Sequence, residues 1–292
     1  MLPSMRFYII SIVSIFAALG IGIFIGFTLN TQSFIIEQND TITQVFESQF
    51  EVIMDENKSL KANEKLLEQE NSNKDEYIES SYNFIINNRL NGLNVGIIET
   101  TDDYITSSIG RDLELAGAKV INVTTINSSM TNKEGLSKLY EELNMEIPLD
   151  IVENSVSSIT KSILTGIHDP FLEELYKKGY IKTSGNYNES IDYLIICGGS
   201  FTESIRRINL VDKPIVEVAK EYNIPILGVE KSNVNFSYIP RYRDFDISTV
   251  DNIDMIIGKV SMILSMEGNP GNYGIKDTAD DVTPNFRGII QD

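Results

Sequence analysis

The residues with the most chemical promise in this chain lie in one passage, IICGGSFTES, residues 195–204. An apolar strand that runs into Gly198, Gly199 and Ser200 and then a helix leaves backbone N–H groups at a helix N-terminus, where an anion can be held. Those three residues are the candidate ligand-binding turn. The glycines also suit a closely packed strand-to-helix turn with no ligand, and neither GxGxxG nor the P-loop lysine pattern occurs to support a nucleotide. Cys197 precedes the glycines, whereas the nucleophile of a nucleophile elbow stands at the tip of the turn between small residues. It reads as a buried strand residue. His168, in GIHDP, reads as a turn residue before Pro170, with no second histidine to form a relay. No catalytic residue emerges, and the chain reads as a protein that is not an enzyme.

Met255, Met262 and Met266 are spaced by seven and four, which places them on one face of a helix beginning near Val250. Thioethers so grouped suit Cu(I). Ile256, Val260 and Ile263 beside them make the stripe read first as core packing. With 1 Cys and 1 His, an internal disulfide and a multi-His or multi-Cys metal centre are excluded within one subunit. No cofactor is expected, and copper is the one metal for which soft ligands are in hand. The net charge of -18, without a Lys/Arg-rich stripe, also excludes nucleic acid as a partner.

These residues must be positioned by four successive regions, 1–30, 31–90, 91–267 and 268–292. In the first, residues 7–29 hold no charge. At ~1.5 Å per residue they reach ~35 Å as a helix, enough for a hydrocarbon core of ~30 Å. A cleaved signal has an apolar stretch of only ~7–15 residues, so the run reads as a retained anchor. Arg6 precedes it, the next basic residue is Lys58, and Glu37, Asp40 and Glu47 lie between. Positive charge favours the cytoplasmic side. The expected topology is therefore a single-pass protein of the cell membrane with a cytoplasmic N-terminus and an extracytoplasmic C-terminal domain. Gly22 and Gly26 form a GxxxG that allows two such helices to approach.

Residues 31–88 contain neither Pro nor Gly, the usual helix breakers. Phe46, Ile53, Leu60 and Leu67 recur every seven residues, and Phe50 and Ile78 take the complementary seam position, the spacing of a coiled-coil stalk. Asn57, Glu64 and Asn71 interrupt that seam. Such polar residues lower stability while fixing register, and a homodimer through the stalk is expected.

Beyond Arg89 the pattern becomes short β-branched runs, LNVGIIET (93–100), AKVINVTTI (118–126), YLIICGG (193–199) and IPILGVE (224–230). Runs apolar at nearly every position suit strands covered on both faces. Helical stretches at 103–116, 133–144, 153–165, 171–178 and 202–222 separate them, with Asp102 or Asp103 as cap of the first and Gly117 at its end. The fold class is thus α/β: a transmembrane helix, a coiled-coil stalk, then a Rossmann-like or flavodoxin-like parallel-sheet domain. In the tail, Gly268, Pro270, Gly271 and Gly274 argue for irregular structure, with Tyr273 and Ile275 as anchors on the domain.

The order of these parts resembles the family named for the mycobacterial copper transport outer membrane protein B. The resemblance rests on the span type VSIFAALGIGIFIG after a short basic N-terminus, the coiled-coil stretch, the α/β domain, and above all STVDNIDMIIGKVSMILSMEG (248–268) followed by GNYGIKDTADDVTP (271–284). It implies copper homeostasis in the cell envelope. Other members of that family are associated with a cytoplasmic partner and with separation of daughter cells, where the envelope domain influences peptidoglycan hydrolysis. Three readings follow: a bitopic scaffold that binds envelope partners, a copper-handling protein, and an enzyme or anion-binding domain using the turn at Gly198, Gly199 and Ser200.

Overall fold

The computed structural model describes residues 5–106 and 108–285, and of residues 30–44 it describes the backbone alone. The side chains of Glu37 and Asp40, which entered the topology argument, and the end of the tail at 286–292 lie outside the described residues. Two compact units are present, Met1–Lys74 and Asp75–Asp292.

The first unit is built on helix α1 (Met5–Ile86), unbroken because no proline interrupts it. Its opening part, Met5–Leu29, has a mean hydropathy of 2.5 and is long and apolar enough to cross a bilayer. Further along, Phe46, Phe50, Ile53, Leu60 and Leu67 are all exposed on the helix surface.

The second unit is an α/β domain. Its seven-stranded sheet has the order β3-β2-β1-β4-β5-β6-β7. The strands are β1 (Asn94–Glu99), β2 (Lys119–Ile126), β3 (Ile181–Gly185), β4 (Tyr193–Cys197), β5 (Ile226–Val229), β6 (Ser248–Val250) and β7 (Asn272–Tyr273). All neighbours pair in parallel except β3, which is antiparallel to β2 at one edge. Leaving β3 aside, the parallel strands run in the flavodoxin-like order. Period-two alternation sends Ile98, Leu194 and Ile196 to a core shared with α3 (Lys133–Glu142), α4 (Ile151–Thr165), α5 (Pro170–Lys177), α7 (Lys213–Glu221) and α8 (Ile239–Asp244). Val95, Ile97, Ile195 and Cys197 go to the other face, under α2 (Ile109–Leu115), α9 (Ile256–Glu267) and Ile86 of α1. Asp112 ties that second layer together. It accepts from the Tyr82 hydroxyl at 2.8 Å and pairs with Lys259 at 3.0 Å, joining α2 to the end of α1 and to α9.

Several elements differ from the sequence expectation. Helix α2 starts at Ile109, and neither Asp102 nor Asp103 caps it, because the carboxylate of Asp103 is used elsewhere. The helix expected over 202–222 starts at Ile205 as α6 (Ile205–Arg207), passes through a π turn (Ile208–Asp212) and continues as α7. The segment around Val250 is a strand, and α9 begins only at Ile256. The tail is not wholly irregular, since β7 adds to the sheet edge and pairs with β6.

The tail is held by two buried acids. Asp251 accepts the backbone N–H groups of Ile275 and Lys276, each at 2.9 Å, and Gly274 has φ 151° where any side chain would strike that carboxylate. Glu230 accepts from Lys276 Nζ at 2.6 Å, from Ser237 Oγ and from the N–H of Tyr238. Hydrogen bonds to a charged acceptor are worth ~1.5–3 kcal/mol each. Asp251→Ala is therefore expected to lower domain stability by about 3 kcal/mol. Urea denaturation checks the loss, and faster amide exchange at Ile275 and Lys276 locates it.

Candidate functional site

In open α/β sheets ligands bind outside the carboxyl ends of the strands, where the strand order reverses. Here that place lies between the ends of β1 and β4, which pair with Glu99 opposite Cys197. The turn Gly198-Gly199-Ser200 is at that position, as the sequence indicates, but the N–H groups of Gly198 and Ser200 are engaged by the protein. The Gly198 N–H continues the sheet to the Val229 carbonyl at 2.9 Å. Ser200 exchanges two backbone hydrogen bonds with Phe236, at 3.1 and 2.9 Å. The next N–H, of Phe201, donates to Asp103 Oδ2 at 2.8 Å. An anion does sit on this turn: it is the carboxylate of Asp103, brought over by the loop after β1.

The glycines have a packing reason as well. A Cβ at Gly198 would collide with the Tyr242 hydroxyl and the Tyr238 ring, and one at Gly228 would enter the Tyr242 ring. The Tyr104 ring packs at a tilt against Phe201, with ring centroids 4.7 Å apart. Beside the turn, Arg207 donates through Nε and Nη2 to the Thr100 carbonyl at 3.0 and 2.7 Å, and through Nη2 to the carbonyls of Ile126 and Asn127 at 2.7 and 3.3 Å. The guanidinium thus closes the ends of β1 and β2. Glu99, buried at the end of β1, is also satisfied: Oε1 accepts from the N–H and hydroxyl of Thr106, and Oε2 from Thr125. Sequence reasoning missed Arg207 and gave Asp103 the wrong task, because their partners are backbone groups about one hundred residues away, which no local pattern announces.

The soft ligands do not meet. Met262 and Met266 are on the buried side of α9, whereas Met255 precedes the helix and is exposed. Cys197 is buried in β4, and burial pushes its thiol well above the ordinary range, so it is held protonated. His168 is exposed beside Glu173, at 3.4 Å. Among the described residues no three His, Cys, Asp or Glu side chains converge as metal ligands.

A separate concavity of about 430 Å³, wholly within the Asp75–Asp292 unit, is apolar. Ile78, Tyr82 and Ile85 of α1 form one wall, and Met255, Ile257 and Val260 the other.

The sequence pattern of the family described as copper transport outer membrane protein, MctB, matches residues 2–284. The chain belongs to that family. Among individually curated proteins none matches. Membership together with the apolar helix Met5–Leu29 fits a membrane-anchored protein.

One buried group at the site carries a measurable signature. Asp212, in the π turn, is fully buried, and its Oδ1 accepts from the Tyr242 hydroxyl at 2.6 Å. Its Oδ2 has no donor among the described residues. Burial lifts the carboxyl from 3.8 to about 7, although the Tyr242 hydrogen bond and the charge of Arg207 pull the other way. A folded-state value above the unfolded one means that protonation favours the fold. The contribution is complete below about pH 4, is lost as pH rises toward 7, and is level above that. Asp212→Asn removes the titration. The stability of this variant relative to the parent should rise between pH 4.5 and pH 8 by about 3 kcal/mol, read as a double difference in urea denaturation.

Proposed function

From that membership we propose that the chain is a membrane-anchored envelope protein related to copper homeostasis, which works as a scaffold by binding other proteins. The observation that carries this reading is the occupied switch-point crevice. Asp103 takes the Phe201 N–H and Arg207 the Thr100 carbonyl at the place where this architecture takes small ligands, and in this reading the outer surfaces are the working parts. This counts against the enzyme reading as well.

In this reading the helix Met5–Leu29 anchors the chain with its N-terminus in the cytoplasm, the α/β domain stands outside, and two copies pair along the stalk. Support for pairing comes from the seam at Phe46, Phe50, Ile53, Leu60 and Leu67, exposed side chains at coiled-coil spacing. The partner would be another envelope protein or a cytoplasmic one reached through the anchor. The family resemblance directs the first search to proteins that control peptidoglycan hydrolysis at cell separation.

Direct copper handling is the second reading, favoured by the family description. The residues lend it less. Cu(I) needs several soft donors at one point, and a thiol must lose its proton to become a strong ligand, whereas burial holds Cys197 protonated.

A strain lacking the protein is expected to form chains of unseparated cells at ordinary copper levels. Copper sensitivity with normal separation would overturn the scaffold reading in favour of the second. At the molecular level, the double variant Leu60→Lys and Leu67→Lys is expected to abolish self-association of the full-length protein in crosslinking and sedimentation, while thermal unfolding of the α/β domain stays unchanged. Retained self-association would show that the seam is not the contact.

A further inference from the structure

Arg206 and Arg207 are neighbouring cations in a chain whose net charge is -18, yet among the described residues neither forms an ion pair. Both line a concavity of about 270 Å³, together with Thr131, Glu203, Ser204 and Leu210. It lies at the carboxyl edge of the sheet, since Thr131 follows β2 and Arg207 closes the ends of β1 and β2. That edge is where open α/β sheets take ligands. The concavity is separate from the glycine turn, none of whose three residues lines it.

Arg207 is already fixed where it lines this space. Its Nε and Nη2 are committed to carbonyl groups, and Nη1 is the nitrogen without a partner among the described residues. A guanidinium held by its own protein gives up little further freedom on meeting a ligand. Arg206, next to it in the chain, is exposed. The two hydroxyls of the wall are spent as donors: Ser204 Oγ gives its proton to the Thr202 carbonyl at 2.9 Å, and Thr131 Oγ1 to that of Ser128 at 3.2 Å. What the pocket offers is therefore guanidinium N–H and positive charge. It suits a ligand rich in acceptors that carries more than one negative charge. A phosphate monoester has three terminal oxygens and a charge of about -1.5 to -2 at neutral pH, whereas a carboxylate brings two oxygens and a single charge.

We propose that this pocket binds a phosphate group, free or as a small monoester, with the Arg206 guanidinium and Arg207 Nη1 as its donors. The anion seats on charge left over once Arg207 has closed the strand ends. Glu203, the one acid among the lining residues, opposes the anion and holds the affinity below what two guanidinium groups alone would give. The site goes beyond the scaffold reading and does not depend on whether the stalk pairs, so its failure would leave that reading where it stands.

The test titrates the full chain in detergent with inorganic phosphate and with glycerol phosphate, at constant ionic strength, and follows binding by calorimetry and phosphorus NMR. Saturable binding is expected. Tighter binding of glycerol phosphate assigns the site to a monoester, and the reverse order assigns it to the free ion; either supports the proposal. Arg206→Gln should weaken binding by about tenfold or more, the loss of one charge-assisted hydrogen bond. Glu203→Gln removes the opposing charge without touching a donor, and should strengthen it. Thermal unfolding of both variants should match the parent, which separates a lost donor from a damaged fold. Arg207 itself is left in place, because its removal would uncap three carbonyl groups. Arg111→Gln, on α2, serves as the control for general charge and should leave the affinity unchanged. Absence of saturable binding of either ligand up to ~10 mM overturns the proposal. So does an unchanged affinity in Arg206→Gln, or an equal loss in Arg111→Gln.

Discussion

The guanidinium of Arg207 is the contact on which the carboxyl edge of the domain depends. Three carbonyl groups at the ends of β1 and β2 would otherwise face a closing loop without donors, and an unpaired buried backbone group costs about as much as a lost hydrogen bond. One planar cation answers all three, because its N–H groups form a fixed fork. This demand helps explain the helix that follows. Arg207 must point back over the sheet while α7 packs its apolar side on the core, and the π turn Ile208–Asp212 adjusts the phase between the two. The extra residue of the π turn is where Asp212 is pushed indoors against Tyr242. The raised carboxyl pKa at Asp212 is thus a consequence of how the edge is closed.

The same closure explains why the glycine turn does not act as its spacing suggests. Free N–H groups at a strand-to-helix turn attract an anion, and in this domain the nearest anion is covalently attached to the loop after β1. A tethered carboxylate has a much higher effective concentration than any dissolved one. Asp103 therefore holds the Phe201 N–H.

Much of the architecture was legible in the residues. Strands β1, β4 and β5 are buried on both faces and β2 on one with the other half-buried, so their apolar runs stand out, and the breaker-free stretch before them folds as part of α1. Strands β3, β6 and β7 escaped. β3 is an edge strand with a mostly exposed IKTSG sequence, and β6 and β7 have three and two residues, too few to show any period. The site was legible only as a location. Gly198 and Gly199 mark a special turn, but the side chains that define its chemistry, Asp103 and Arg207, act on backbone atoms far away in sequence. The tail was misread for a related reason: Asp251 and Glu230 supply hydrogen bonds and charge that compensate for its glycines, and such compensation is a tertiary fact.

The exposed seam of α1 raises a question of magnitude. Fully burying an aliphatic or aromatic side chain contributes ~1.5–3 kcal/mol, so five seam residues would offer at most about 15 kcal/mol per copy, before Asn57, Glu64 and Asn71 subtract from it. Free association of two proteins in solution forfeits ~4–15 kcal/mol of translational and rotational freedom. A seam of this quality is therefore marginal for a soluble pair. A bilayer changes the balance, since two anchored helices already share a plane and an orientation, and much of that loss is met in advance. In the proposed pair the polar seam positions would limit strength, so that the pair would depend on the anchor. The anchor and the imperfect stalk are in this sense one device, and the charged-seam variants of the full-length protein bear on both.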